Sequence, residues 1–390
     1  MQFYMPVKVY QELDCVKRHR EIFGRMGTRA LVVTGRHSAR ANGALQDVQE
    51  VLEAEEIPYD LFDEVEENPS VETVLKARTL GLQTGADFVI GIGGGSPMDA
   101  AKAIALLLYF SDEGADFLCD SSKSKTVRDL GEAKDGKGVL TVNSTAFAAA
   151  GAAVHVPLLL IPTTCGTGSE VTGVSVLTQH RKKTKGSIPH KIFADAAFVD
   201  GKYLKYAPFH VIRNTAADAL GHLWESLCHS GADPYSRMCA EAGLHTWSKI
   251  REVLLHLEER ELTKEEMDLL MEASTFAGMA IAQTGTGLPH ALSYALTYDL
   301  HIPHGAAVGL FEAGYLEQVE EGLREKALGL AGFSGPDDWR EYYRIVCGEM
   351  AIPAEELEHT VEMVAANQAK LATAPFACDE AVLRKIVFGG

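Results

Sequence analysis

Between residues 87 and 110 the chain reads DFVIGIGGGSPMDAAKAIALLLYF, and this segment narrows the fold more than any other. Its first half is a short apolar run without polar alternation, the pattern of a strand buried on both faces. Glycines at 91 and 93–95 and Ser96 then form a turn, and Pro97 stands where a first helical turn accepts proline. A strand buried on both faces needs helices on both, so a parallel α/β sheet is expected. ALVVTG (30–35) repeats the theme, with a helical pattern behind it through Leu52. Pro69 and Ser70 open a further helix, VETVLKARTLGLQTG, and VPLLLIPTT (156–164) is another apolar strand.

After about residue 190 strand signals fade and helical patterns dominate, from VIRNTAADALGHLWESLCHS to PAEELEHTVEMVAANQAKLA. SRMCAEAGLHTWSKIREVLLHLEER is a helical pattern among them. At 390 residues the chain exceeds one ordinary core. The expectation is an α/β domain over 1–190 and an all-helical domain over 191–390. Residues 111–138 are polar and read as a surface excursion. Val139 to Pro162 lacks any Asp, Glu, Lys or Arg and imitates a membrane span. Pro157 would break such a helix, so an alanine-rich buried stretch leading into a strand is the reading adopted.

The formal charge of −18 argues against nucleic acid and against anionic membrane surfaces. Seven scattered cysteines with no CxxC spacing fit a reducing compartment and disfavour a thiolate metal site. The start, MQFYMPVKVYQELD, lacks a basic stretch followed by an apolar one. A cytoplasmic location is therefore expected.

Glycines between a strand and a helix let backbone approach a diphosphate, and the helix N-terminus favours the anion. The run is neither GxGxxG nor a P-loop, and a tight turn with no ligand is the alternative. A second polar turn, Pro162 to Glu170, follows the strand LLLIP. Two such turns at the ends of parallel strands mark a crevice of the kind where open α/β sheets bind ligands.

Asp218 and His222 are four apart in a helical stretch and share one face. Alone they are as well explained by an i,i+4 polar pair. His290 and His304 bound the segment HALSYALTYDLHIPH, with His301 between. Three histidines and an aspartate make a donor set suited to Fe²⁺ or Zn²⁺ and poor for Ca²⁺ or Mg²⁺.

GGGSPMDAAK, PTTCGTGSEVT, DALGHLWES and HALSYALTYDLHIPHG together resemble, in order, the motifs of the iron-containing (group III) alcohol dehydrogenases. The resemblance runs from FYMPVKVY to about residue 315. It implies the dehydroquinate synthase-like architecture of that family, with a divalent metal in the cleft between an α/β and a helical domain. It makes Asp218, His222, His290 and His304 the metal ligands, and Gly94, Gly95 and Ser96 pyrophosphate contacts. It places Thr163, Thr164 and Thr167 near the cofactor and Lys185 where a cofactor-contacting lysine is common.

The chain also departs from the family pattern. Many members carry a histidine one turn after the third ligand, assigned to proton relay; here that position is Tyr294, and Tyr294 or His301 is the candidate substitute. Cys165 replaces a small residue before GTGSE and reads as a buried small hydrophobe. Members that prefer NAD often carry an aspartate after the second strand, whereas this chain has Gly35, with Arg36, His37 and Ser38 beyond it. A carboxylate there repels a 2′-phosphate, so NADP is preferred over NAD, with Arg36 or Ser38 to bind the phosphate.

The expected reaction is hydride transfer between NAD(P)(H) and a short primary alcohol or aldehyde such as butanol or butanal, with Fe²⁺ or alternatively Zn²⁺. Ile281, Trp224 and Tyr294 are candidates for the pocket wall. A glycerol-type polyol dehydrogenase and a catalytically silent nucleotide binder are the alternatives. Pairing of the N-terminal segment with its twin would give a homodimer.

Overall fold

A computed structural model describes residues 3–120, 122, 152–182 and 184–389. Most of the polar excursion and of the alanine-rich stretch lies outside the described residues. Contacts divide the chain into two units. One comprises Tyr4–Thr164 and Ser169–Tyr206, the other Met1–Phe3, Cys165–Gly168 and Ala207–Gly390.

The first unit is built on a six-stranded sheet. Its strands are β1 (Lys8–Gln11), β2 (Ala30–Thr34), β3 (Tyr59–Phe62), β4 (Phe88–Gly93), β5 (Leu158–Pro162) and β8 (Ala196–Val199). Their order is β1-β8-β5-β4-β2-β3, and every neighbouring pair is parallel. The four inner strands are buried along their whole length, whereas β1 and β3 at the edges are partly exposed. This is the burial that continuous apolar runs foretell. β8 was hidden in the sequence, because AAFV is four residues long and half alanine. A separate antiparallel hairpin joins β6 (Val176–Gln179) to β7 (Thr184–Ser187).

The long helices of this unit are α1 (Ala44–Ala54), α2 (Val71–Thr84) and α3 (Gly95–Tyr109). Ser70 caps α2, its side chain accepting from the Thr73 N–H. A Cβ on Gly91 would lie 2.6 Å from Ala101 Cβ and 2.7 Å from Leu160, so only glycine lets α3 settle onto β4. Register sets Thr34 beside Ile92 and Gly93 beside Pro162, which gathers the C-terminal ends of β2, β4 and β5.

The second unit is helical: α4 (Phe209–Cys228), α5 (Pro234–Ser248), α6 (Lys264–Thr284), α7 (Leu288–Asp299), α8 (His304–Gln318), α9 (Glu321–Leu330), α10 (Pro336–Cys347), α11 (Ala354–Ala365) and α12 (Glu380–Phe388). α4 is buried on nearly every side from Ala216 to Cys228, as a central helix must be. It packs against α5 to α10. Capping boxes at Asp233 and Thr263 start α5 and α6.

The helical pattern over 236–260 is interrupted after Ser248. A short helix, Arg251–Leu255, follows, and its carbonyls at Leu254 and Leu255 accept from the Arg213 guanidinium. Trp224 is core rather than pocket wall. It is fully buried, stacks edge-on against Phe333 and Trp339, and donates its indole N–H to Ala327. Among the described residues no helix is long and apolar enough to cross a membrane.

Candidate metal centre and dinucleotide turn

Asp218 sits mid-helix on α4, His290 in the first turn of α7, and His304 opens α8. One ligand atom from each lies within 4.8 Å of the others. Small residues make this convergence possible. A Cβ on Gly305 would collide with the Asn214 carbonyl and lie 2.8 Å from Asp218 Cβ, so glycine lets α8 begin directly against α4. His222, one turn beyond Asp218, is not among these three. Its ring stacks on His290 with centroids 4.3 Å apart and donates to the Gly166 carbonyl. Gly166 itself is pressed against Thr215 of α4.

Glu225, fully buried, holds the histidine in place. One oxygen takes the Gly287 N–H at the otherwise uncapped start of α7, and the other meets His290 Nδ1. The ring proton therefore faces Glu225 and leaves Nε2 turned toward Asp218, 3.4 Å from Oδ1. Behind Glu225 lies Glu312 of α8, also fully buried, its carboxyl close to that of Glu225. Burial and the neighbouring Glu225 charge push Glu312 far above the usual carboxylate range, which favours its neutral form.

Electrostatics follow from this crowding. Burial opposes ionisation of Asp218, but His222, His290 and His304 outweigh it and hold the carboxyl below its ordinary range. Burial lowers His222 to about 4. Burial also works against protonation of His290, yet Glu225 and then Asp218 prevail and raise it to about 9.

The residues fit a divalent cation on one observation in particular. Among the described residues, Asp218 Oδ1, His222 Nδ1 and His290 Nε2 are all buried without a hydrogen bond, which for polar atoms in a protein interior is costly unless a cation satisfies them. The donor set, imidazole with one carboxylate, suits iron or zinc.

Tyr294 is half-buried, hydrogen-bonded to Thr286, and stacks parallel to His304 with centroids 6.0 Å apart. His301 is exposed in a left-handed turn, φ 54°, and among the described residues no hydrogen bond ties it to the cluster. Ile281 is half-buried on α6. Cys165 is buried, its thiol beside Thr215 Oγ1, and burial raises it to about 11; it is an inert packed thiol.

In the α/β unit the turn after β4 is open. Gly94 stands at the N-cap of α3 and offers no side-chain cap, so the first N–H groups of the helix are free for an anion. A Cβ on Gly94 would come within 3.1 Å of Thr164. Thr34 Oγ1 and Thr163 Oγ1, beside the ends of β2 and β5, are buried with no hydrogen-bond partner among the described residues. These features fit a dinucleotide. Gly35 is half-buried, whereas Arg36 and Ser38 are exposed, and among the described residues Arg36 forms no ion pair. Thr167 belongs to the polar turn of the helical unit.

Asn68 was not read from the sequence. It is held at φ 55°, its N–H donates to Ser96 Oγ, and its side chain accepts from Lys185 Nζ at 2.5 Å. Glu225 and Glu312 were missed as well. Their signals were a carboxylate three residues after His222 and a lone glutamate in the apolar helix AAVGLFEAGYL.

Residues 6–201 match the family model described as iron-containing alcohol dehydrogenase, and 212–374 match that of the family's C-terminal domain. A sulfoacetaldehyde reductase of Bilophila wadsworthia is 29% identical over 318 residues, covering 80% of this chain and 74% of its own. An NADPH-dependent butanol dehydrogenase of Clostridium saccharobutylicum is 28% identical, covering 80% and 72%. The crystal structure of an iron-containing alcohol dehydrogenase from Thermotoga maritima superposes with a TM-score of 0.83 at 33% identity, over 99% of this chain and 98% of that one.

Proposed function

The chain belongs to the iron-containing alcohol dehydrogenase family, and from that premise we propose that it transfers a hydride between NADP(H) and a short primary alcohol or aldehyde. Asp218, His222, His290 and His304 are the residues we assign to the metal. The single observation that carries this assignment is that, among the described residues, the buried atoms Asp218 Oδ1, His222 Nδ1 and His290 Nε2 make no hydrogen bond.

A divalent metal bound there supplies Lewis acidity toward the substrate oxygen. Asp218 contributes the negative charge of the donor set, and the imidazoles contribute neutral lone pairs. Glu225 keeps the His290 proton on Nδ1 and so fixes which nitrogen faces Asp218. Tyr294, stacked beside His304, is the candidate we assign to hold a proton at its hydroxyl for exchange with the substrate oxygen. His301, exposed on the preceding loop, is the other candidate for that exchange.

Gly94, Gly95 and Ser96 would hold the pyrophosphate through helix N–H groups, with Thr163, Thr164, Thr167 and Lys185 as further contacts. The NADP preference draws on Gly35, which places no carboxylate at the end of β2, and on Arg36 or Ser38 for the 2′-phosphate. The butanol dehydrogenase relative, named as NADPH-dependent, supports the same choice. A cytoplasmic enzyme and a homodimer joined along the edge strand β1 complete the reading.

The test is consumption of NADPH and NADH with butanal by metal-stripped protein to which Fe²⁺ or Zn²⁺ is returned. Metal-dependent oxidation of NADPH is expected. NADH consumption alone would sink the cofactor preference, and turnover without metal would sink the ligand assignment.

A further inference from the structure

Lys102 is fully buried in the second turn of α3, an expensive place for an ammonium. Its three N–H groups are all used. Nζ donates to Ser169 Oγ at 2.7 Å, to the Val174 carbonyl at 2.7 Å and to Thr172 Oγ1 at 3.3 Å. Asp99, one turn earlier, lies 3.6 Å from the same nitrogen. Asp99 in turn accepts from Ser169 Oγ at 2.6 Å and from the Val176 N–H at 2.9 Å, while its carbonyl takes Ser175 Oγ at 2.8 Å. Two charged side chains on one helix thus fasten the whole stretch from Ser169 to Val176.

That stretch feeds β6. Thr178 of β6 donates its N–H to the Pro69 carbonyl and its hydroxyl to the Asn68 carbonyl. Across the hairpin Thr178 is paired with Lys185, whose ammonium also binds Asn68. Asn68 closes the ring by donating to Ser96 in the first turn of α3. The circuit leaves α3 at Asp99 and Lys102, passes through 169–176 and the hairpin, and returns to α3 at Ser96.

Stability alone does not account for the pair. A buried ion pair is commonly no more stabilising than apolar residues of similar volume, and α3 already packs closely on β4 and β5. What apolar packing cannot do is hold a polar segment such as SEVTGVS in one conformation. We infer that Asp99 and Lys102 are positioning residues that latch the 169–187 segment onto α3, holding Asn68 and Lys185 around the Gly94–Ser96 turn for the dinucleotide. The inference rests on the proposed role of that turn and of Lys185 in cofactor binding.

The experiment measures NADPH and NADH binding by nicotinamide fluorescence, which needs neither metal nor turnover, in wild type, Lys102→Met and the double variant Asp99→Asn/Lys102→Met. Denaturation midpoints and backbone hydrogen exchange of 176–187 are followed in parallel. Lys102→Met strands Asp99 without its cation and is expected to lose stability and to weaken binding by about tenfold or more. The double variant removes the stranded charge, so its midpoint should recover, yet its binding should stay weak and the hairpin should exchange faster. A merely structural role would restore stability and affinity together, and that outcome overturns the inference, as does unchanged affinity in both variants. If Lys102→Met fails to fold, the double variant alone decides. Failure of the wild type to bind either dinucleotide would instead bring down the cofactor reading, and the latch with it.

Discussion

The polar centre of the helical unit is made of side chains, and the glycine turn of the α/β unit is made of their absence. Around Asp218, the buried side chains of His222, Glu225, His290 and Glu312 crowd together with the part-exposed His304, and each is satisfied or left wanting by its neighbours. After β4, Gly94 contributes nothing but backbone, and the helix behind it is left uncapped. A cation needs lone pairs held in fixed directions, so its site must be assembled from distant helices and locked by residues such as Glu225. A diphosphate needs N–H groups and room, which one strand–turn–helix supplies locally. Damage should accordingly be separable: the first region governs metal, the second dinucleotide.

Substitution of His290 by alanine is the severest test of that separation. Metal content and turnover should both fall to background while NADPH binding persists, as read by elemental analysis beside fluorescence titration. Retention of full metal and activity would show that the donor set has been misassigned. Glu225→Gln is expected to be milder, with metal affinity reduced about 10- to 100-fold because the amide no longer fixes the His290 ring as strongly. Dinucleotide affinity should not change, and a parallel loss there would blur the comparison.

Gly94→Ala probes the opposite region. The added Cβ meets Thr164 at 3.1 Å, and the NADPH dissociation constant should rise about tenfold with metal content intact. The smallest effect concerns pH in metal-free protein. His290, raised to about 9 from about 6.5, contributes stability that is complete below pH 6.5 and lost as pH rises through 9. His222, lowered to about 4, costs stability as pH falls from 6.5 toward 4. Metal-free protein should therefore be most stable near pH 6.5 and lose stability on either side. Metal loading, which needs neutral imidazoles, should flatten the alkaline limb. Denaturation midpoints across pH, with and without metal, measure this; an identical profile in both states would remove the electrostatic half of the comparison.

Legibility in the sequence followed the same division. β2, β4 and β5 could be read because each is a continuous apolar run closed by glycine or proline. β8 could not, since four residues with two alanines carry no such contrast. Asp218, His222, His290 and His304 were found as residue types at telling spacings, and the structure draws three of them together with His222 stacked alongside. Trp224 misled because a large aromatic beside a polar helix face looks like a pocket wall. Its burial among Phe333 and Trp339 depends on helices more than a hundred residues away.

By itself the sequence determined the alternation of apolar strands with helices, the uncapped glycine turn and the chemical kind of the polar centre. These are consequences of neighbours along the chain, where hydrophobic period and backbone freedom act. Only the tertiary structure decided that Glu225 would orient His290, that Glu312 would lie buried behind it, and that Lys102 would reach Ser169 across 67 positions. Such partnerships arise from strand order and from which helices glycine allows to touch. A buried charge acquires its role only from the groups that replace its water.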